Sequence, residues 1–157
     1  LLTPRETELK VSAKNAQQTI AKLLEVECLP IINENDSTAT DEIKFGDNDL
    51  LAAKISTLFQ ADLLIVLSSV DGLYASEADS KDPANSALIR HVPKINSKIK
   101  KMAGQANDMG KGGMISKIQA AEICFKNNSS MVIASGKKNQ PIRSLSRNGR
   151  ATWFVKK

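Results

Sequence analysis

The 157 residues are 41% hydrophobic and 25% charged, with a formal net charge of +5, and describe one soluble globular domain or a large piece of one. No apolar run approaches the roughly 20 residues that span a bilayer, and His91, the sole histidine, leaves no basis for a histidine-rich metal site or a Ser-His-Asp triad. Aromatic residues make up 4% of the chain and do not interleave with its lysines, which excludes the stacking platform of a single-strand nucleic-acid binder.

The opening LLTPRETELK lacks an initiator Met and the build of a signal peptide, so the front of a longer protein is expected to be missing. Ala16, Ile20, Leu23 and Leu24 recur at helical spacing and predict a helix over 12–27. LPIIN (29–33) reads as a short apolar strand. The polar run ENDSTATDEIKFGDND leads into a second helix with Leu51, Ile55, Leu58 and Phe59 on one face. DLLIVLSS follows, apolar from Leu63 to Leu67, as a strand buried on both faces.

Residues 75–112 interrupt the rhythm, with a small hairpin near 88–92 and a short basic helix. Lys94, Lys98, Lys100 and Lys101 there read as a solvated helix face, although a positive bias also suits small anionic substrates. A third helix begins near Gly113, with Met114, Ile118, Ala121 and Phe125 on one stripe, and runs into the apolar strand SMVIAS. ATWF near the end reads as an edge strand. Cys28 and Cys124 show no C-x-x-C spacing and read as reduced thiols of a cytosolic protein.

Alternating helices and strands predict a three-layer α/β fold around a mainly parallel sheet. Helices then run antiparallel to strands, so helix N-termini share a rim with strand C-termini, where open α/β sheets bind ligands. The segments after Asn33, after Leu67 and after Ala134, and the glycine-rich lead-in to the third helix, all fall on that rim.

Three segments carry candidate chemistry. GQANDMGKGGMISK (104–117) places four glycines before a helix, with Lys111 and Lys117 beside them. Such a terminus offers free amides to an anion, and Lys117 lies about one turn in. It is not a Walker A motif, and spacing alone leaves phosphate binding and a surface loop both open. INENDSTATDEIKFGDND gathers Asp36, Asp41, Glu42, Asp47, Asn48 and Asp49. By composition Asp36, Asp47 and Asp49 orient lysines, bind an ammonium group or hold Mg²⁺ through water, or Asp47 or Asp49 caps the next helix. Paired glycosidase carboxylates are the competing reading, against which a sheet-edge site argues. SSVDGLY offers the Ser68 and Ser69 hydroxyls and the Asp71-Gly72 turn, with Tyr74 either flanking a base or belonging to a simple turn.

In their order PIINENDSTATDEIKFGDND, ADLLIVLSSVDGLY, GKGGMISKIQAAEI and VIASG, these segments resemble the amino acid kinase family and, within it, its glutamate 5-kinase branch. The resemblance spans nearly the whole chain, and NEND followed by FGDND is its most specific part. It implies an αβα sandwich in which 1–157 form the C-terminal, ATP-binding part of the kinase domain. The N-terminal portion, with its Lys-x-Gly-Ser/Thr strand and Ser-Ser-Gly loop, is then absent, as is a C-terminal RNA-modification-type (PUA) domain.

The implied reaction is ATP- and Mg²⁺-dependent phosphorylation of the L-glutamate γ-carboxylate, the first step of proline biosynthesis, in a cytoplasmic homo-oligomer (dimer or tetramer) with no nucleic-acid or membrane partner. Asp36 and Asn48 would bind glutamate, and Asp49 would orient the catalytic Lys117. Ser68 and Ser69 would contact ATP, as would the run Lys111, Gly112, Gly113, Met114, Ile115, Ser116 and Lys117. No protein-held metal is implied. Two positions depart from the family pattern: Ser68-Ser69 stand where Thr-Asp is common, and Lys111 where Thr is usual. The alternatives are another member, such as an acetylglutamate, carbamate or uridylate kinase, or a non-catalytic nucleotide- or amino-acid-binding fragment. The isolated chain is expected to be inactive and unstable, because its sheet would expose an edge.

Overall fold

Thr3 and Glu6 form a reciprocal cap on the first helix. The Thr3 amide and hydroxyl donate to Glu6 Oε2 at 2.6 and 3.0 Å, and the Glu6 amide donates to Thr3 Oγ1 at 3.2 Å. The bond from the Thr3 backbone, then that from its hydroxyl, holds the Glu6 carboxyl below its ordinary range. This computed structural model describes residues 1–35, 48–75, 87–104 and 113–156.

The helices are α1 (Pro4–Glu8), α2 (Lys10–Glu25), α3 (Asn48–Leu58), α4 (Ser97–Gly104), α5 (Met114–Lys126) and α6 (Pro141–Ser146). Four strands, β1 (Leu63–Ser68), β2 (His91–Val92), β3 (Ser130–Ser135) and β4 (Ala151–Phe154), form one sheet in the order β1-β3-β4-β2. β1 pairs with β3 in parallel, β4 runs antiparallel to β3, and β2 is parallel to β4.

Alternation along β3 divides the core. Met131 and Ile133 join Val66, Phe154 and the α5 residues Ile118, Ala121 and Phe125 on one side. Val132 and Ala134 join Ala151, Ile65, Trp153 and Leu145 of α6 on the other. Helices thus cover both faces, giving the three-layer arrangement expected of apolar strands without polar alternation. Each fully buried side chain of the size of Met131, Ile133 or Phe154 contributes about 1.5–3 kcal/mol. Among the described residues no helix is long and apolar enough to cross a membrane.

Several expectations are met and several are corrected. The second and third helices and SMVIAS fall where periodicity puts them. Lys94, Lys98, Lys100 and Lys101 are exposed, while Ile99, Met102 and Ala103 face the core. β1 is not buried on both faces: Leu63 and Leu67 are about two-fifths exposed. It is an edge strand, and the six-residue α6 packs against β3 and leaves β1 uncovered on that side.

ATWF is an interior strand rather than an edge. LPIIN forms no strand. Its neighbourhood holds only the bridge Leu2–Glu34, and Leu29 and Ile31 are 84% and 92% exposed. Apolar composition alone does not make a strand without a ladder partner. The expected hairpin near 88–92 is a single antiparallel bridge, Tyr74–Leu88, after which His91–Val92 joins the sheet beside β4.

Two stability measurements follow. Ser56, at 8% exposure in α3, has a buried hydroxyl without a hydrogen-bond partner in this structure. Ser56→Ala is expected to leave the urea midpoint unchanged or to raise stability by up to about 1 kcal/mol, since it removes an unmet polar group. Cys124 is fully buried, and burial pushes its thiol up to about 11, whereas Cys28 is exposed. At pH 8 a thiol reagent should modify Cys28 and spare Cys124 until denaturant is added. Native-state labelling of Cys124 at the Cys28 rate would contradict this packing.

Candidate nucleotide and phosphoryl-transfer site

Two helix–strand reversals set the geometry. α3 turns through 59–62 into β1, and α5 turns through 127–129 into β3, so each helix returns antiparallel to its strand. The reversals are pinned side by side, with Ser129 Oγ donating to the Ala61 carbonyl at 2.7 Å and the Ser130 amide to that of Asp62 at 2.9 Å. The opposite rim therefore carries the N-termini of α3 and α5 and the C-terminal ends of β1 and β3. There the Gly136 amide donates to the Ser68 carbonyl at 2.8 Å.

On this rim Lys117 Nζ lies 2.8 Å from Asp49 Oδ2, with the two side chains 12% and 17% exposed. The Ser116 hydroxyl reaches the same carboxylate oxygen at 3.1 Å and the Gly113 carbonyl at 2.8 Å, its one proton serving either. Asn48 Oδ1 accepts from the Glu34 amide at 3.3 Å, so the start and end of the acidic segment lie together. Glu34 is 4% exposed.

Gly113, which has no side chain to cap the helix, is extended at the head of α5. The first amides of such a helix suit an anion, and a lysine lies one turn in. The donor set fits a phosphate. Among the described residues no three His, Cys, Asp or Glu side chains gather to hold a metal ion.

Of the residues nominated from sequence, Asp49 meets Ser116 and Lys117 across the α3–α5 contact, Asn48 stands beside Asp49 at the start of α3, and Gly113, Met114 and Ile115 lie at the head of α5. Ile115 is exposed, Ser116 is buried, and Met114 packs on the core. Ser68 and Ser69 stand at the end of β1, half-buried and exposed respectively. Asp36, Lys111 and Gly112, with Asp41, Glu42 and Asp47, lie outside the described residues. Tyr74 is 7% exposed, which leaves no open ring face to stack a base.

A second cluster on this rim escaped the sequence reading. Asp71, after β1, receives Lys138 Nζ at 2.9 Å and Arg150 Nε at 3.2 Å, with the Tyr74 hydroxyl at 3.5 Å. Hydrogen bonding to Tyr74 is the first cause that holds the Arg150 guanidinium above its ordinary value. Thr152 is fully buried, accepts from the Leu73 amide at 2.8 Å and donates to the Ile89 carbonyl at 2.7 Å. A hydroxyl inside the apolar strand ATWF was the available signal.

Comparison with known proteins agrees with this architecture. Residues 2–135 match the model of the amino acid kinase family. Over 99% of its length the chain is 46% identical to glutamate 5-kinase of Bradyrhizobium diazoefficiens and 47% identical to that of Rhodopseudomonas palustris strain TIE-1. It spans 41% of the length of each of these curated relatives. UMP kinase from Ureaplasma parvum shares the fold, with a TM-score of 0.58 and 19% identity over 89% of this chain and 53% of that one. With its three-layer sheet, its helix-headed rim and this match, the chain belongs to the amino acid kinase family.

Proposed function

We propose that this chain is the ATP-binding part of a glutamate 5-kinase, a phosphotransferase that acts on the γ-carboxylate of L-glutamate and serves proline biosynthesis. The supporting observation is the 2.8 Å contact of Lys117 with Asp49 at the open head of α5. Identity of 46% to proteins named glutamate 5-kinase favours glutamate over the acceptors of other family members. The working protein is proposed to be a cytoplasmic homo-oligomer.

In this reading a γ-carboxylate oxygen of glutamate attacks the γ-phosphorus of ATP. The new O–P bond forms as the bond to the β,γ-bridging oxygen breaks, and ADP leaves with that electron pair. A carboxyl with an ordinary pKa of about 4.3 is already ionised at neutral pH. No general base is needed, and the lack of a catalytic histidine is no obstacle.

The difficulty is anion against anion, about 4 kcal/mol for unit charges ~4 Å apart at an effective dielectric near 20. Lys117 and the α5 amides supply fixed positive character at the transferring group. Asp49 holds the Lys117 ammonium in place, and Ser116 adds a hydroxyl to the same carboxylate. Asp36 and Asn48 are assigned to glutamate, Ser68 and Ser69 to the nucleotide, and the run from Lys111 to Lys117 to the phosphates. Mg²⁺, when bound with ATP, would neutralise charge on the β- and γ-phosphoryl oxygens.

Calorimetry with MgATP on this chain tests the nucleotide half. Hydroxylamine trapping of γ-glutamyl phosphate, on the longest polypeptide that carries the segment, tests transfer. Lys117→Ala is expected to lower kcat by about 10²-fold or more with a far smaller effect on glutamate KM, and an unchanged kcat removes Lys117 from the mechanism. ATP binding without transfer in any longer polypeptide would leave a non-catalytic binding module as the better reading.

The ion pair has its own measurement. Asp49→Ala is expected to destabilise the fold by about 1–3 kcal/mol. A cycle with Lys117→Ala should show coupling of at least about 0.5 kcal/mol by urea unfolding, and additivity would mean that the pair is not formed in solution.

A further inference from the structure

We propose that Asp71 and Thr152 are positioning residues that hold the Ser68–Ser69 end of β1 in register for the nucleotide. This rests on the ATP-binding reading above and extends it to residues that the reading does not use.

Three elements converge on the turn that follows β1. From the β3 side, Lys138 reaches Asp71 Oδ1. From the entry to β4, Arg150 reaches Asp71 Oδ2. β4 runs antiparallel to β3, with Ala134 opposite Ala151, so Arg150 enters at the same rim as Ser68 and Ser135. The Asp71 side chain is 14% exposed and joins one cation from the segment after β3 and one from the residue before β4, where a lone surface aspartate would be solvated.

Two residues beyond Asp71, Thr152 fastens the turn a second time by binding both the Leu73 amide and the Ile89 carbonyl. Gly72 lies so close that a Cβ there would stand 2.3 Å from Thr152 Oγ1 and 2.9 Å from its backbone nitrogen. The turn is therefore pressed onto β4 as well as hydrogen-bonded to it. Ser68 and Ser69 are the last freely presented groups before this double fastening, and Ser68 is itself joined to the β3 end through the Gly136 amide.

The Asp71 contacts lie on the rim outside the apolar clusters, whereas Thr152 ties the same turn to the core through Leu73. Their common effect is to fix a hydroxyl-bearing strand end in which a displacement of about 1 Å is enough to degrade ligand geometry.

The test uses this chain with Asp71→Asn, Thr152→Val and Thr152→Ser. MgATP affinity is read by calorimetry, amide exchange at 69–73 by mass spectrometry, and folding by the fluorescence of Trp153, the sole tryptophan. Asp71→Asn and Thr152→Val are expected to weaken MgATP about tenfold and to speed exchange at 69–73, whereas Thr152→Ser retains wild-type values within about twofold. Asp71 lies on the rim, so its variant keeps the proposal testable if Thr152→Val does not fold.

Wild-type ATP affinity in a folded Asp71→Asn chain overturns the positioning role. So does weakened affinity with unchanged exchange at 69–73, which would make Asp71 a direct ligand. A wild-type chain without ATP affinity removes the nucleotide reading and this role together.

Discussion

The close approach of α3 to α5 is the constraint on which the site depends. Asp49 and Lys117 meet at 2.8 Å, so the heads of α3 and α5 lie within side-chain reach of each other. Small residues make that possible. Ala53 on α3 and Ala120 and Ala121 on α5 are all fully buried in one cluster, and Ser56 continues the small-residue face. A larger side chain at any of these positions would push the helices apart and open the ion pair, with no change at the charged residues themselves.

Lys117 is held where solvent has little access, at 12% side-chain exposure. Asp49 sets the direction of the ammonium beside the N-terminal end of α5. In the proposed reading the same pairing keeps a cation ready for a phosphoryl group, so the cost of ordering both side chains is offset in the resting protein.

Much of this was legible in the sequence, and what was missed has identifiable causes. Helical spacing in 114–125 located α5, and an unbroken apolar run located β3, because a helix stripe and a doubly covered strand leave local patterns. The same apolar signal misled at 29–33 and at Leu63 and Leu67, where the outcome depends on what lies alongside rather than on the segment itself. The meeting of Asp49 with Lys117 was implied by the family resemblance and by topology, and the contact is present at 2.8 Å. Asp71 with Lys138 and Arg150 was invisible because its partners lie 67 and 79 positions away along the chain. Only the folded sheet brings them together.

β4 links these observations. It was read as an edge strand, and its interior position changes what the C-terminal segment does. Lying between β3 and β2 and antiparallel to β3, it starts at the rim that carries the C-terminal ends of β1 and β3 and delivers Arg150 and Thr152 beside the turn that follows β1. A parallel strand in that place would have put its first residues at the far rim, beside the α3 and α5 C-termini. The direction of four residues, Ala151–Phe154, thus decides whether the end of the chain supports only the core or also braces the strand end that presents Ser68 and Ser69.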